Sequence, residues 1–564
     1  MTGYTYKGIK KGSEQAMRLA AYLSSEVSSA IDARAGLRAR WEQNEKVYRN
    51  DPSMAGTRLY DNFEPRAVPV MSPRINKIVN VTVSSLTAPS PMMQAIPDDK
   101  DQEGADVLEL GLQTTWELAG FGRMFRRALT TAALCGVSVV RMRMTEAGLK
   151  FDHVHPNDFV IAPAYGLDMR DAHMVGHRFY IPRWMLKDRI KSGQYELVDD
   201  DYWKKASNKS PDEEPAGRDT AYDLSLADGG SVDRDNELVE LYELLLLLEV
   251  DGKRQRCRAI YDDSNSVVLS KEPYIYSRPW YFDVRFHDEE GKWWPANSVA
   301  QNIVGLCFLQ SDMFNLLVAG SMATCVSPTV ISGGTLGKAV NTLSLGHVYQ
   351  SNHDLKVQQI PLTFDPKAMP LAMQFLDDAI EAQTGVMDHR IMQADRKSGD
   401  VTARQIAAEQ TAASENEGAY PTFAADTMEQ MARMWMEYVQ NHASVLRAVY
   451  AGALPQEFYG KARNRVRWVA TGKSPGNSPD FLIGKLQALY TMSRDPMSAY
   501  HPQRTETALG GAMQLPINME GIQKTSEEMA QAQAAAAAMA QSQMAGQEGD
   551  TGLGGLLGGV GQAS

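Results

Sequence analysis

Several stretches of this chain carry residue types at spacings that could do chemistry. The run Gly333 to Ala339, with Gly337-Lys338, has the look of a loop that cradles phosphates. A working phosphate loop needs glycine where Ser332 stands and Ser or Thr where Ala339 stands, so the close backbone approach and the magnesium ligand are both missing. Asp99, Asp101, Glu103 and Gly104 open like a calcium loop, but the twelfth position falls on Leu110, which has no carboxylate to give. They read instead as the acidic start of a helix, where negative charge complements the dipole. Gly136-Val137-Ser138-Val139 lacks the second glycine of a nucleophile elbow and reads as the start of a strand. His153 with His155, and His173 with His177, are spaced to share one face of a strand, which makes a metal site geometrically conceivable. With no flanking cysteine and no HExxH pattern, each pair reads as ordinary half-buried histidines. Cys135, Cys257, Cys307 and Cys325 are scattered among apolar neighbours without a CxxC spacing, which suits reduced core thiols rather than bridges or zinc ligands. No catalytic residue, cofactor or metal is expected.

Three cations remain, Arg390, Arg396 and Lys397, in a short polar stretch between two helical patterns. Before it, Leu371, Phe375 and Ala379, with Ala372, Leu376 and Ile380, repeat every four residues on one stripe, and Gly385 is placed to end the helix. After it, Asp400 is a fitting N-cap for Val401 onward, and Met428, Met431, Trp435 and Tyr438 step 3, 4, 3 along a longer helix. Gly418 and Pro421 interrupt that pattern, so a kink is expected there. A helix, a basic loop and a long kinked helix make a device for touching something that passes by.

The rest of the chain must hold that device in place. From Glu14 to Tyr48 an amphipathic helix is expected, closed by Asp51-Pro52. The β-branched, apolar stretch Asn76 to Leu86 reads as a strand leading to a turn region at Pro89 to Pro97, and helices are expected over Gln102 to Leu118 and Arg123 to Leu134. Strands follow at Val137 to Met144, His153 to Ile161, Ala172 to Ile181, Glu237 to Val250, Arg256 to Ile260 and Val267 to Leu269, giving a mixed, helix-rich α+β protein. Asp199 to Asp235 is polar and glycine-bearing, and reads as a surface insertion. Trp280, Trp293 and Trp294 suggest core or subunit contact.

Ser298 with Gln301 forms a capping box ahead of a helix expected to reach about Ala323, on the order of 40 Å long at about 1.5 Å per residue. Thr329 to Asp365 switches to short β patterns, after which Pro370 fits the first turn of a returning helix. Two rods with a small β tip result. Tyr450 to Gly511 carries helical patterning around Phe481 to Met492, and Glu527 to Ala545 is rich in Ala, Gln and Met.

Composition bounds the partners. With 564 residues, 43% hydrophobic and 22% charged, the chain belongs among globular proteins of roughly three or four domains. Its longest purely apolar runs, such as Leu244 to Leu248, fall short of the roughly 20 residues that span a bilayer, so no membrane is expected. Met1 to Lys11 carries lysines with no apolar stretch behind them, so no secretory signal is expected and assembly should be cytoplasmic. The 57 Lys and Arg against 69 Asp and Glu leave a net charge of −12, poor for a general duplex binder, which gains affinity by neutralising phosphates. The same charge suits a conduit, where tight phosphate contacts would act as a brake.

The order of parts, with Gly385-Val386, Ser398-Gly399 and Thr402-Ala403-Arg404-Gln405-Ile406, resembles the tunnel-loop region of phage portal proteins, the head-to-tail connectors, especially those of short-tailed phages. By that resemblance residues 1–297 would be the wing, 298–327 the first stem helix, 328–365 the clip and 366–385 the second stem helix. Residues 386–400 would be the tunnel loop, 401–450 the long kinked helix of the wing, 451–526 the crown and 527–564 an Ala/Gln/Gly-rich tail. The resemblance implies a non-enzymatic virion protein at the capsid portal vertex, forming a twelve-subunit ring through which double-stranded DNA is packaged and ejected. The partners it implies are the terminase large subunit, tail adaptor proteins, and the major capsid and scaffolding proteins. Arg390, Arg396 and Lys397 would face the channel, and Lys338, His347, Tyr349, His353 and Lys356 of the clip would contact terminase or adaptor. The competing readings are another structural virion component, such as a tail-tube or scaffold protein, and a nucleic-acid enzyme.

Overall fold

The computed structural model describes residues 14–55, 64–89, 91–97, 102–164, 166, 168–195, 238–250, 253–287, 289, 292–325, 329–332, 348–351, 356–359, 368–384, 419–455, 458–461 and 466–471. The chain divides into two compact units, Met1–Ser478 and Pro479–Ser564, and all of the described residues lie in the first. The proposed insertion at Asp199 to Asp235 and the helical patterning around Phe481 to Met492 lie outside them.

Helix α1 (Glu14–Tyr48) forms where the amphipathic pattern places it, burying Leu19, Leu23, Val27, Ala30, Arg34 and Trp41. It stops as expected at Asp51-Pro52, where the Asp51 carboxylate accepts the Ser53 amide at 2.8 Å and opens a single 3-10 turn. The stretch expected as a strand at Asn76 to Leu86 is instead the body of α2 (Met71–Thr87). Its Met71, Ile75, Ile78, Val79, Thr82, Val83 and Leu86 are buried at three- and four-residue spacing, so the helical period outweighs the β preference of the branched side chains. The expected turn region then holds a short strand, β1 (Met93–Pro97).

Helices α3 (Gln102–Leu118) and α4 (Phe121–Cys135) follow, and Gly136 turns the chain from α4 into β2 (Val137–Thr145). Gly136 has φ +89°, and a Cβ there would sit 2.7 Å from the carbonyl oxygen of Asn297, so this sharp corner accepts no other residue without rearrangement. Next come β3 (Gly148–Val154), β4 (Phe159–Ala162), β5 (Met174–Pro182), the short α5 (Arg183–Lys191), β6 (Leu238–Val250), β7 (Lys253–Asp262), β8 (Val267–Pro273) and β9 (Tyr281–Arg285). They form two antiparallel sheets, β3–β2–β9 and β4–β5–β6–β7–β8. The leucine run of β6 is explained by burial on both faces. Tyr242, Leu244, Leu246 and Leu248 meet α1, whereas Leu245 joins the main core.

Helix α6 (Val299–Cys325) begins at the expected cap, leads to a three-stranded sheet of β10 (Thr329–Ser332), β11 (Val348–Ser351) and β12 (Lys356–Gln359), and is followed by α7 (Ala368–Thr384), with which it packs. Strand β10 is central, parallel to β11 and antiparallel to β12. Pro370 lies in the first turn of α7, where its missing N–H costs nothing. Helix α8 (Ala419–Asn441) buries Met428, Met431, Trp435 and Tyr438 completely, the row the sequence spacing singled out. Trp435 Nε1 donates to Thr115 Oγ1 at 2.9 Å and the Tyr438 hydroxyl to the Met142 carbonyl at 2.5 Å, so this helix bolts α3 to β2 through the core. Pro421 sits in its first turn, and the break among the described residues comes at His442, between α8 and α9 (Ala443–Tyr450). A short α10 (Phe458–Lys461) precedes β13 (Val466–Ala470), which pairs antiparallel with β1.

The tryptophans prove to be core where they are most buried. Trp293 and Trp294 stack edge-to-face at 4.4 Å, with Phe159 and Trp41 packed around them. Cys135, Cys257 and Cys307 are free and buried, as reduced core thiols should be.

Candidate functional site at the base of the helical hairpin

Ser298 sets the direction of α6. Its hydroxyl oxygen accepts the Gln301 amide at 2.9 Å, one half of the expected capping box, while the hydroxyl donates to the Leu134 carbonyl, also at 2.9 Å. The other half is absent: Gln301 Oε1 is buried with no hydrogen-bond partner among the described residues. Asn44 of α1 donates to the same Leu134 carbonyl at 2.9 Å, so the end of α4 is the joint where α1 and α6 meet.

Val299–Met322 is long and apolar enough to cross a membrane by length and composition alone, although no uninterrupted apolar run marks it in the sequence. What it presents inward is a polar row. Asn315 holds the backbone of Arg66 in both directions, at 3.1 and 2.9 Å, and Ser311 accepts the Val68 amide at 3.4 Å. Gln310 donates to Asp377 of α7 at 3.0 Å. Such pairings make it a helix fixed against other protein segments, because Gln310, Ser311 and Asn315 each find a specific partner there.

Arg74 of α2 completes the joint. Its guanidinium donates to Asp377 at 2.8 Å and to Glu381 at 3.1 Å, two carboxylates four residues apart on one face of α7. The same fork geometry that suits Arg for paired carboxylates fixes the rotation of α7 about its own axis. One turn further on, the buried Thr384 closes the helix by donating to the Ile380 carbonyl at 2.9 Å.

The Thr384 carbonyl accepts the hydroxyl of Tyr420 at 2.6 Å, and the Tyr420 ring packs edge-on to Phe286. The described stretches on either side of residues 385–418 therefore meet at one hydrogen bond. Arg390, Arg396 and Lys397 all belong to that segment and lie outside the described residues. Lys338, His347 and His353 also lie outside them. Tyr349 and Lys356 fall on the small sheet, with Tyr349 opposite Val330 on the parallel side of β10 and Lys356 opposite Ser332 on the antiparallel side.

Residues 75–451 match the family model described as the phage SU10 portal protein. The chain belongs to that portal family. Among curated proteins none matches it. As a phage portal protein it is a structural component of the virion capsid, and the reading of the sequence as a tail-tube protein, scaffold or nucleic-acid enzyme gives way.

Sequence reading found most of the described helices and strands of this portal protein but missed the residues that join them. Arg74 lies two residues ahead of the stretch misread as a strand, in the first turn of α2, and nothing local to Gln310 marks its partner. Asp377 and Glu381 did carry a signal, being acids four residues apart on a helix with no basic residue of its own.

Of the histidine pairs, His153 accepts or donates at Ser138 Oγ, 3.0 Å away, and burial depresses its pKa to about 4. His173 faces Glu26 at 2.9 Å. His177 is fully buried, between the Tyr281 hydroxyl and Arg141, and its pKa falls to about 3 by burial first and then by the Arg141 charge. That histidine belongs to an ionic network in which Glu243 binds both Arg141 of β2 and Arg258 of β7. Burial raises the Glu243 carboxyl, and the two arginines more than offset it, leaving a pKa of about 2. The network links the two sheets.

Proposed function

We propose that the chain forms a twelve-subunit ring whose central channel passes double-stranded DNA during packaging and ejection, with α6 and α7 as the stem. The observation that carries this reading is the pattern of exposure on the hairpin. Leu309, Phe314, Leu316 and Met322 of α6, and Leu371 and Phe375 of α7, are exposed although large and apolar, with Phe375 at 65%. Leu371 and Phe375 lie one turn apart on the same stripe of α7. Adjacent copies standing side by side in a ring would cover such faces, and a heterologous contact that closes on itself generates a ring.

Residues 386–400 would reach into the bore, where Arg390, Arg396 and Lys397 make transient phosphate contacts that help retain the genome. The sheet of β10, β11 and β12, together with Lys338, His347, Tyr349, His353 and Lys356, would be the docking tip for the terminase large subunit and then the tail adaptors. The wing would face the major capsid and scaffolding proteins, with assembly in the host cytoplasm.

Packaging driven by the cognate terminase tests both assignments. Neutralising Arg390, Arg396 and Lys397 together should leave rings intact and lower the fraction of heads that keep their DNA, and unchanged retention would end the tunnel-loop assignment. Replacing residues 328–365 by the clip of an unrelated portal should abolish terminase docking, and retained docking would refute the clip assignment.

A further inference from the structure

Three side chains outside the hairpin converge from distant parts of the chain. Glu45 comes from α1, Cys135 is the last residue of α4, and His155 follows β3. His155 Nε2 lies 2.7 Å from Glu45 Oε1, Cys135 Sγ lies 3.9 Å from that same oxygen, and the sulfur and the ring nitrogen are 4.0 Å apart. The point in their plane equidistant from these three atoms is about 2.1 Å from each, close to the about 2.0–2.3 Å of zinc bonded to nitrogen, oxygen and sulfur, and a four-coordinate ion would sit just above that plane once the Oε1–Nε2 pair opens.

We propose that Glu45, Cys135 and His155 bind one zinc-type divalent ion, with its fourth position open to water. A thiolate, an imidazole and a carboxylate form a donor set that favours zinc or cobalt over magnesium or calcium, which take oxygen ligands. The other carboxylate oxygen of Glu45 faces Arg49 at 3.5 Å, which leaves Oε1 turned to the sulfur and the ring. Cys135 is buried, but Glu45 and His155 are 21% and 23% exposed, so an ion can reach the cluster from their side.

Binding needs two proton movements. The Cys135 thiol releases its proton to solvent, becoming a thiolate. The Asn157 amide donates to His155 Nδ1 at 3.2 Å, so the ring proton of neutral His155 sits on Nε2 and points at Glu45. To ligate through Nε2, the ring moves that proton to Nδ1 and gives up the Asn157 contact. That loss is one neutral hydrogen bond, exchanged for a metal–nitrogen bond. Without an ion, thiol and imidazole both donate to Glu45, and the trio is a hydrogen-bonded cluster only.

The position gives the ion a consequence. It would tie α1 to the last residue of α4, next to the Leu134 carbonyl that receives Asn44 and Ser298, and so stiffen the root of α6.

Cobalt titration of the full-length, reduced protein tests this without any substitution. One cobalt per chain should bind with a thiolate-to-metal charge-transfer band in the near ultraviolet, and one equivalent of zinc should displace it. C135S should lose the band and C257S should keep it, while H155Q should weaken zinc by more than about 100-fold, beyond the usual cost of an outer-sphere change. Absence of the band from the unsubstituted protein, or its persistence in C135S, would overturn the proposal. Because the first of these readings uses the native chain, misfolding of a variant cannot rescue it.

Discussion

Arg74 and Asp377 stand 2.8 Å apart, and the same guanidinium reaches Glu381 at 3.1 Å, so one side chain of α2 fixes the azimuth of α7. Removing it with R74M leaves two half-buried carboxylates one turn apart with their shared cation gone. The expected cost is about 1–3 kcal/mol, between an exposed and a fully buried pair. Urea denaturation should show a lower midpoint, with faster amide exchange over Ala368–Thr384. Adding D377N should recover part of the loss, because the two positions interact directly.

Glu243 lies beneath the sheet junction with Arg141 and Arg258 on either side. E243Q keeps the shape and deletes the buried charge, leaving Arg141 with Asp152 alone and Arg258 with the exposed Glu272 alone. A loss of roughly 3 kcal/mol or more in chemical denaturation is expected, as when one partner is taken from a buried ion pair. A change near zero would mean that solvent already screens the network.

The buried histidines set a pH dependence. His177 and His153 have folded pKa values lowered to about 3 and about 4, from 6.5, with burial the leading cause in both. The unfolded chain therefore binds more protons below pH 6.5, and the stability these groups confer is present above that value and lost as the pH falls toward 4. Each contributes a slope of up to about 1.4 kcal/mol per pH unit in that window. Unfolding free energies measured from pH 7 to 4 should fall accordingly, and H153Q, keeping a polar partner for Ser138, should flatten the curve.

Tyr420 holds the two ends of the segment 385–418 together through the Thr384 carbonyl. Y420F keeps the edge-on packing against Phe286 and removes that one bond. A global cost of only about 1 kcal/mol is expected. The larger effect should be local, with faster protease cleavage between residues 385 and 418 at unchanged melting temperature; equal cleavage would mean that the tether is idle.

Much of the frame was legible because its periodicities are strong. The ends of α1 and α3, the row Met428, Met431, Trp435 and Tyr438 in α8, and the order long helix, small β unit, returning helix all follow from spacing and caps. Asn76 to Leu86 was misread because branched side chains favour strands locally, while the buried face repeats at the helical period. The membrane-length composition of α6 escaped a search for unbroken apolar runs, since Gln301, Asn302, Gln310, Asp312 and Asn315 interrupt it. What no local pattern reveals is pairing at a distance. Arg74 with Asp377, Glu243 with Arg141, and Glu45 with Cys135 and His155 join residues 90 to more than 300 positions apart. His155 looked ordinary in the sequence because its neighbour His153 is not its partner, and the ligands it meets arrive from α1 and α4.

The exposed apolar residues of the hairpin lead to the central claim. L371S with F375S changes side chains that touch little within the subunit, so folding should be retained while association weakens. The most direct measurement is the mass of the purified, unsubstituted protein by native mass spectrometry, paired with negative-stain images of the same sample. A dodecamer with an open axial hole is the expected result, shifted toward smaller species in the double variant. A compact monomer, or an assembly with no central opening, would contradict the account.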